Sequence, residues 1–165
     1  MITVGDEAPD FTAPLANGDV ESFTLSERLG EAPLVLAFFP AAFTGTCTNE
    51  MKSFQERLGE FEAAGATVYG VSVDSPFALN EFREQNDLTF DLVSDANREV
   101  VEAYDVTMDF EAVGIRDLAK RAVFVVDAEG TVTYAWVSDD AGVEPEYDEV
   151  LAATAEQSVA DADDD

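Results

Sequence analysis

Apolar positions along the chain switch repeatedly between two periods. "APLVLAFFP" at 32–40 is an uninterrupted apolar run closed by proline, which predicts a buried strand. From Thr46 to Ala64 the apolar positions are Cys47, Met51, Phe54, Leu58 and Phe61. Their spacings of 4, 3, 4 and 3 trace one face of a helix. "GATVYGVSVD" at 65–74 returns to β-branched residues and predicts a second strand. Ser75 then reads as an N-cap, with Pro76 at the first helical position. The helix they open runs to about Asn86 and carries Phe77, Leu79 and Phe82.

The alternation continues to the end of the chain. "TFDLVSD" at 89–95 predicts a short strand, and Asp95 caps a short helix holding Val100, Val101 and Tyr104. "RAVFVVD" at 121–127 and "TVTYAWVSD" at 131–139 predict strands joined by a turn in which Gly130 supplies a positive φ. Pro145 opens a last helix with Tyr147, Val150 and Leu151 on one side. Near the start, Asn17-Gly18 marks a hairpin turn. The βαβ portion demands parallel strands with right-handed crossovers, and the later hairpin adds an antiparallel pair. The expected architecture is α/β: a thioredoxin-like fold whose mixed central β-sheet is flanked by helices and preceded by an N-terminal β-hairpin extension. One domain is expected over residues 1–158, with a disordered acidic tail at 159–165.

A length of 165 residues with 47% hydrophobic content suits one domain with a real core. Charge changes the picture more. Eight Lys and Arg stand against 36 Asp and Glu, a formal net charge of −28. Such a surface repels nucleic acid and anionic membrane, which argues against both as partners. Apart from the final "ADADDD", the acids are dispersed, as on a surface adapted to concentrated salt. There the Debye length falls to about 3 Å and screens their mutual repulsion. A halophilic source is therefore expected. No apolar stretch approaches the ~18 residues of a membrane span. The opening "MITVGDEAPDF" lacks a basic region followed by an apolar run, so the cytoplasm is the expected compartment.

The only cysteine is Cys47, and histidine is absent. Cys47 falls in the first turn of a helix, just past a strand end. Unpaired N–H groups and the helix dipole there favour thiolate over thiol. Where thioredoxin-type enzymes carry C-x-x-C, this chain has Thr44-Gly45-Thr46-Cys47. The threonine hydroxyl can accept one hydrogen bond and donate another. Thr44 and Thr46 both read as N-cap candidates, the role suiting Thr46 better. Without histidine no Cys–His pair can form, and a zinc site would have one thiolate and no imidazole. Neither EF-hand spacing nor a Gly-rich phosphate loop is present, although carboxylate-only Mg²⁺ or Ca²⁺ sites stay open. What remains is a nucleophile activated by electrostatics. Arg121, opening a strand that should be buried, is the candidate guanidinium. The competing reading makes Cys47 a small core residue of a non-catalytic thioredoxin-like binding or chaperone module. A thiol transferase acting on mixed disulfides is another alternative.

"FFPAAFTGTCTNEM" at 38–51 resembles the active-site signature of the peroxiredoxins, with Pro40, Thr44 and Cys47 at the three marked positions. "RAVFVVDAEG", opened by Arg121, is similar to the family's late arginine strand, and "VGDEAPDFTAP" to its N-terminal hairpin. The cysteine motif is nearest to the one-cysteine branch typified by alkyl hydroperoxide reductase E. Position 52, where related members carry a resolving cysteine, holds Lys52. The resemblance implies a thiol-dependent peroxidase that reduces hydrogen peroxide or organic hydroperoxides through a Cys47 sulfenic acid. An external thiol, from a thioredoxin-like protein or a small molecule, would resolve that intermediate. It implies that Arg121, Thr44 and the Cys47 N–H stabilise the departing oxygen, that Pro40 shields the sulfur, and that Glu50 holds the arginine. It implies no metal or organic cofactor and a homodimer. Phe43 is expected at the pocket rim or at a dimer contact.

Overall fold

In the computed structural model the backbone is described for residues 1–163 and the side chains for residues 1–156. The N-terminal hairpin is β1 (Thr12–Ala16) and β2 (Val20–Thr24), turning at Gly18 with φ +98°. It is followed by β3 (Leu34–Phe38), α1 (Gly45–Glu56), α2 (Leu58–Ala63), β4 (Thr67–Ser72), α3 (Pro76–Gln85), β5 (Asp91–Ser94) and α4 (Glu99–Ala103). Then come β6 (Thr107–Phe110), β7 (Ile115–Ala119), β8 (Arg121–Val126), β9 (Val132–Ser138) and α5 (Tyr147–Asp163). The side chains of the segment read as an acidic tail, 159–165, lie outside the described residues.

Seven strands form one mixed sheet in the order β2-β1-β5-β4-β3-β8-β9. This is the expected thioredoxin-like arrangement, with the hairpin joined to the sheet through antiparallel pairing of β1 with β5. β3 lies deep in it because every residue of "LVLAF" is apolar and buried. Its alternate residues feed two cores. Leu34, Leu36 and Phe38 pack with Phe23, Tyr69, Tyr104 and Phe124 on one face. Val35, Ala37 and Phe39 pack with Met51, Phe54, Phe61 and Phe82 on the other. α1 comes close to the sheet over Gly70. A Cβ at Gly70 would sit 2.6 Å from Leu92 Cδ2 and 3.1 Å from Met51 Sδ.

One register positions the site. β3 and β4 run parallel, whereas β3 and β8 run antiparallel, from Leu34↔Val126 to Phe38↔Ala122. The first residue of β8, Arg121, therefore emerges beside the C-terminal end of β3, where the cysteine loop begins.

Ser75 caps α3 as its sequence implies, accepting from the Ala78 N–H at 3.2 Å. Asp95 caps α4 from a distance, its carboxylate accepting from the N–H groups of Val100 (3.1 Å) and Val101 (2.8 Å). Two expectations need correction, the unbroken helix over 46–64 and the start of the last helix, and two features lay outside the sequence reading. The helix read over 46–64 is two helices, parted at Arg57 (φ −99°, ψ 5°), and the next turn closes through Glu60 N–H to Arg57 O. The apolar stripe does not reveal this, because Leu58 and Phe61 stay buried across the break. Phe77 is 75% exposed, on the side of α3 away from buried Leu79 and Phe82. The last helix begins at Tyr147, past Pro145. Residues 107–119, which carry no clear period, form a separate two-stranded hairpin, β6–β7, turning through Gly114 at φ +72°. Most of its side chains are exposed, so it shows no core-facing alternation. Among the described residues, no helix is long and apolar enough to cross a membrane.

Candidate active site

The loop after β3 turns sharply at Phe43, whose φ of +68° is left-handed and uncommon for a bulky residue. Two contacts hold the turn. The Ala42 N–H donates to Asp74 Oδ2 at 2.8 Å, and the Thr44 hydroxyl donates to Ala41 O at 2.7 Å. Asp74 is itself fixed by the Ser72 hydroxyl at 2.7 Å. Thr44 is then the N-cap of α1, in extended conformation and with no side-chain cap hydrogen bond. Of the two N-cap candidates, Thr46 is instead inside the first turn. The first bond closing this helix runs from Thr48 N–H to Thr44 O at 2.9 Å. The N–H groups of Gly45, Thr46 and Cys47 are thus the helix's unpaired donors.

Cys47 is 1% exposed, with its side chain against the core beneath α1. Arg121 Nη2 donates to Cys47 Sγ at 3.2 Å. The same guanidinium donates from Nη1 to Glu50 Oε1 at 2.8 Å, and from Nε and Nη2 to Ala141 O at 3.1 and 2.7 Å. Sulfur, carboxyl and a loop carbonyl therefore share one planar fork, a geometry that lysine cannot supply. Arg121 and Glu50 are 1% and 0% exposed, and among the described residues Glu50 Oε2 has no hydrogen-bond partner. Burial pushes the Glu50 carboxyl up to about 8, with Arg121 opposing the shift and Glu144 adding to it. Burial and the ion pair with Arg121 thus act on this carboxyl in opposite directions.

Pro40, Thr44, Cys47 and Arg121 line one cavity of about 380 Å³. Glu50 lies behind Arg121 and reaches the cavity only through it. Phe43 does not line the cavity, which removes the pocket rim from its two expected places. It packs edge-on against Phe82, with ring centroids 5.4 Å apart, and remains 51% exposed. Three contributors had no sequence signal singled out for them: Asp74, the Ala141 carbonyl, and the β6–β7 hairpin, which supplies Phe110, Val113, Ile115 and Leu118 to the wall. The "SVDS" stretch ending β4 was the available hint for Asp74.

The profile of the AhpC/TSA family matches residues 4–135, a span that includes Cys47 and Arg121. A Mycobacterium tuberculosis protein named as a peroxiredoxin is 38% identical over 136 residues, covering 81% of this chain and 84% of its own length. The crystal structure of the peroxidoxin BcpB from the same organism superposes with a TM-score of 0.81 at 30% identity, covering 93% of this chain and 97% of that one. The mitochondrial 2-Cys peroxiredoxin of Plasmodium falciparum superposes with a TM-score of 0.82 at 26% identity, covering 99% and 98%.

Proposed function

The chain belongs to the AhpC/TSA family and is a peroxiredoxin, a thiol-dependent peroxidase, and on that premise we propose that Cys47 is the nucleophile that breaks the peroxide bond. The observation that carries this reading is the 3.2 Å contact between Arg121 and Cys47 at the floor of an open cavity.

The Cys47 thiolate attacks the terminal oxygen of R–O–OH. The S–O bond forms as the O–O bond breaks, and sulfur is oxidised by two electrons to sulfenic acid. R–O⁻ departs with the bonding pair and takes up a proton to become the alcohol, or water when R is hydrogen. Arg121 and the free N–H groups at the start of α1 stabilise the developing charge. The Thr44 hydroxyl already donates to Ala41 O, so its oxygen lone pairs are free to accept the hydroperoxide O–H. Pro40 closes one side of the sulfur, and Glu50 holds the guanidinium in the plane it needs.

Because the chain has no second cysteine, resolution falls to an outside thiol. That thiol attacks the sulfenic sulfur, water leaves, and a mixed disulfide forms. A second thiol then releases Cys47 by exchange. This places the protein in the one-cysteine branch, similar to alkyl hydroperoxide reductase E, acting in the cytoplasm of a halophile as a homodimer. Light scattering at high salt reads the mass directly, and a monomer contradicts the last point.

The function is tested by mixing reduced protein with sub-stoichiometric H₂O₂ and counting free thiols. Loss of the thiol within seconds supports it, whereas loss over many minutes marks Cys47 as a bystander. Cys47→Ser abolishes turnover and keeps the fold; surviving peroxidase activity rules Cys47 out.

A further inference from the structure

The peptide unit between Ala41 and Ala42 is held by both of its edges. Its N–H donates to Asp74 Oδ2 at 2.8 Å, and its C=O accepts from the Thr44 hydroxyl at 2.7 Å. A peptide unit is planar, so whatever turns one edge turns the other. Asp74 is in turn placed by the ends of β4 and β5. Ser72 Oγ donates to the same Oδ2 at 2.7 Å, and Ser94 Oγ donates to Asp74 O at 2.6 Å. The Asp95 N–H donates to Ser72 O at 2.6 Å. Both serines are 0% exposed, so water does not compete for these bonds. What this chain of contacts fixes is the direction of one hydrogen. The Thr44 hydroxyl has a single proton to donate. While Ala41 O takes it, the oxygen presents only lone pairs to the cavity and accepts the hydroperoxide O–H. When the peptide turns, that proton is free to point into the cavity, where it meets the hydroperoxide hydrogen head-on. The Asp74 carboxylate also polarises the peptide and makes Ala41 O the stronger acceptor.

We propose that Asp74 is a positioning residue for peroxide reduction: through the Ala41–Ala42 peptide it holds the Thr44 hydroxyl as a hydrogen-bond acceptor in the cysteine cavity. The proposal rests on the peroxidase reading and adds to it the group that orients Thr44. Asp74 is not part of the cavity lining, so it acts on the substrate only through the loop. Both hydrogen bonds at its carboxylate fall on one oxygen, Oδ2. An amide oxygen at the same place keeps them, whereas a longer acid keeps the charge and moves the acceptor. Position and charge therefore predict opposite orders among substitutions at this residue.

The test uses the full chain, reduced, with the second-order rate constant for thiol loss to H₂O₂ read by quenched flow. Asp74→Ala is expected to slow it by about 10- to 100-fold, the cost of misplacing a group beside the chemistry. Asp74→Asn is expected to stay within about fivefold of the parent, its neutral oxygen being the weaker acceptor. Asp74→Glu is expected to be slow like the Ala variant. A Glu variant that matches the parent, with Asn as slow as Ala, makes charge the cause and overturns the proposal. A double-mutant cycle with Thr44→Val separates orientation of Thr44 from general support of the fold. In that background Asp74→Ala is expected to cost less than about twofold more, because the hydroxyl it orients is gone. Single losses that multiply overturn the proposal, as does an Asp74→Ala rate equal to the parent's. Circular dichroism checks each variant, and Asp74→Glu takes the place of Asp74→Ala in the cycle if the latter does not fold. The Ala42 amide gives a reading that needs no peroxide. Its hydrogen exchange is expected to quicken by at least about tenfold without the Asp74 acceptor, and unchanged exchange overturns the proposal. The peroxidase reading fails differently: the parent's own thiol survives H₂O₂ for many minutes, whatever the Ala42 amide does.

Discussion

Replacing Arg121 with methionine removes a charge from the interior while keeping a long unbranched side chain. It deletes the contacts to Cys47 Sγ (3.2 Å), Glu50 Oε1 (2.8 Å) and Ala141 O (3.1 and 2.7 Å). The kinetic and the structural costs separate. A donor aimed at charge that develops in the transition state is worth about 10²–10³ in rate, or about 3–4 kcal/mol. Stranding an ionised partner in the interior would cost about 3–5 kcal/mol of stability. Glu50 avoids that penalty, because burial already holds its carboxyl up at about 8 and Arg121 is what pulls it down. Without Arg121 the acid stays neutral at pH 7, and the stability loss reduces to unmade hydrogen bonds, about 1–3 kcal/mol. The assay is free-thiol loss against a range of H₂O₂ concentrations, paired with urea unfolding. A second-order rate constant within about tenfold of the parent, in a variant with native circular dichroism, refutes the role given to the guanidinium. Arg121→Lys keeps the charge but cannot fork to its three partners, so its rate should fall between parent and Met variant.

Three further outcomes follow from the same structure. Glu50 is held above its free value of 4.5, at about 8, so the folded chain binds a proton there that the unfolded chain releases. Its stabilising contribution is complete below about pH 4.5 and is lost as pH rises towards 8, by up to about 5 kcal/mol over the window. Glu50→Gln should flatten that slope in urea unfolding at pH 5 to 8, and an unchanged slope contradicts it. Gly70→Ala drives a methyl to within 2.6 Å of Leu92, so α1 or Leu92 must shift. It should cost about 1–3 kcal/mol by overpacking, and an unchanged urea midpoint would remove the close approach. With a formal charge of −28, the melting temperature should rise by several degrees between 0.1 and 2 M KCl as repulsion is screened. A flat or falling melting temperature counts against adaptation to salt.

What the sequence determined by itself is local. The apolar run of β3, the stripe through α1, the Ser75-Pro76 start of α3 and the Asn17-Gly18 turn each act over a few residues. Their signals survive without knowledge of the rest of the chain. Pro40, Thr44 and Cys47 belong to the same class, since one strand end, one turn and one helix start present all three. Tertiary structure decided what lies far apart in sequence. Cys47 and Arg121 meet because β8 pairs antiparallel with β3 in the register Phe38↔Ala122. Periodicity reports which face of a strand is buried but not which strand lies beside it. The same limit concealed Asp74, which grips the cysteine loop from the end of β4. It also concealed the β6–β7 hairpin, whose exposed apolar residues face a cavity and so follow no core-facing rhythm. The break at Arg57 was equally silent, because burial continues unchanged through Leu58 and Phe61.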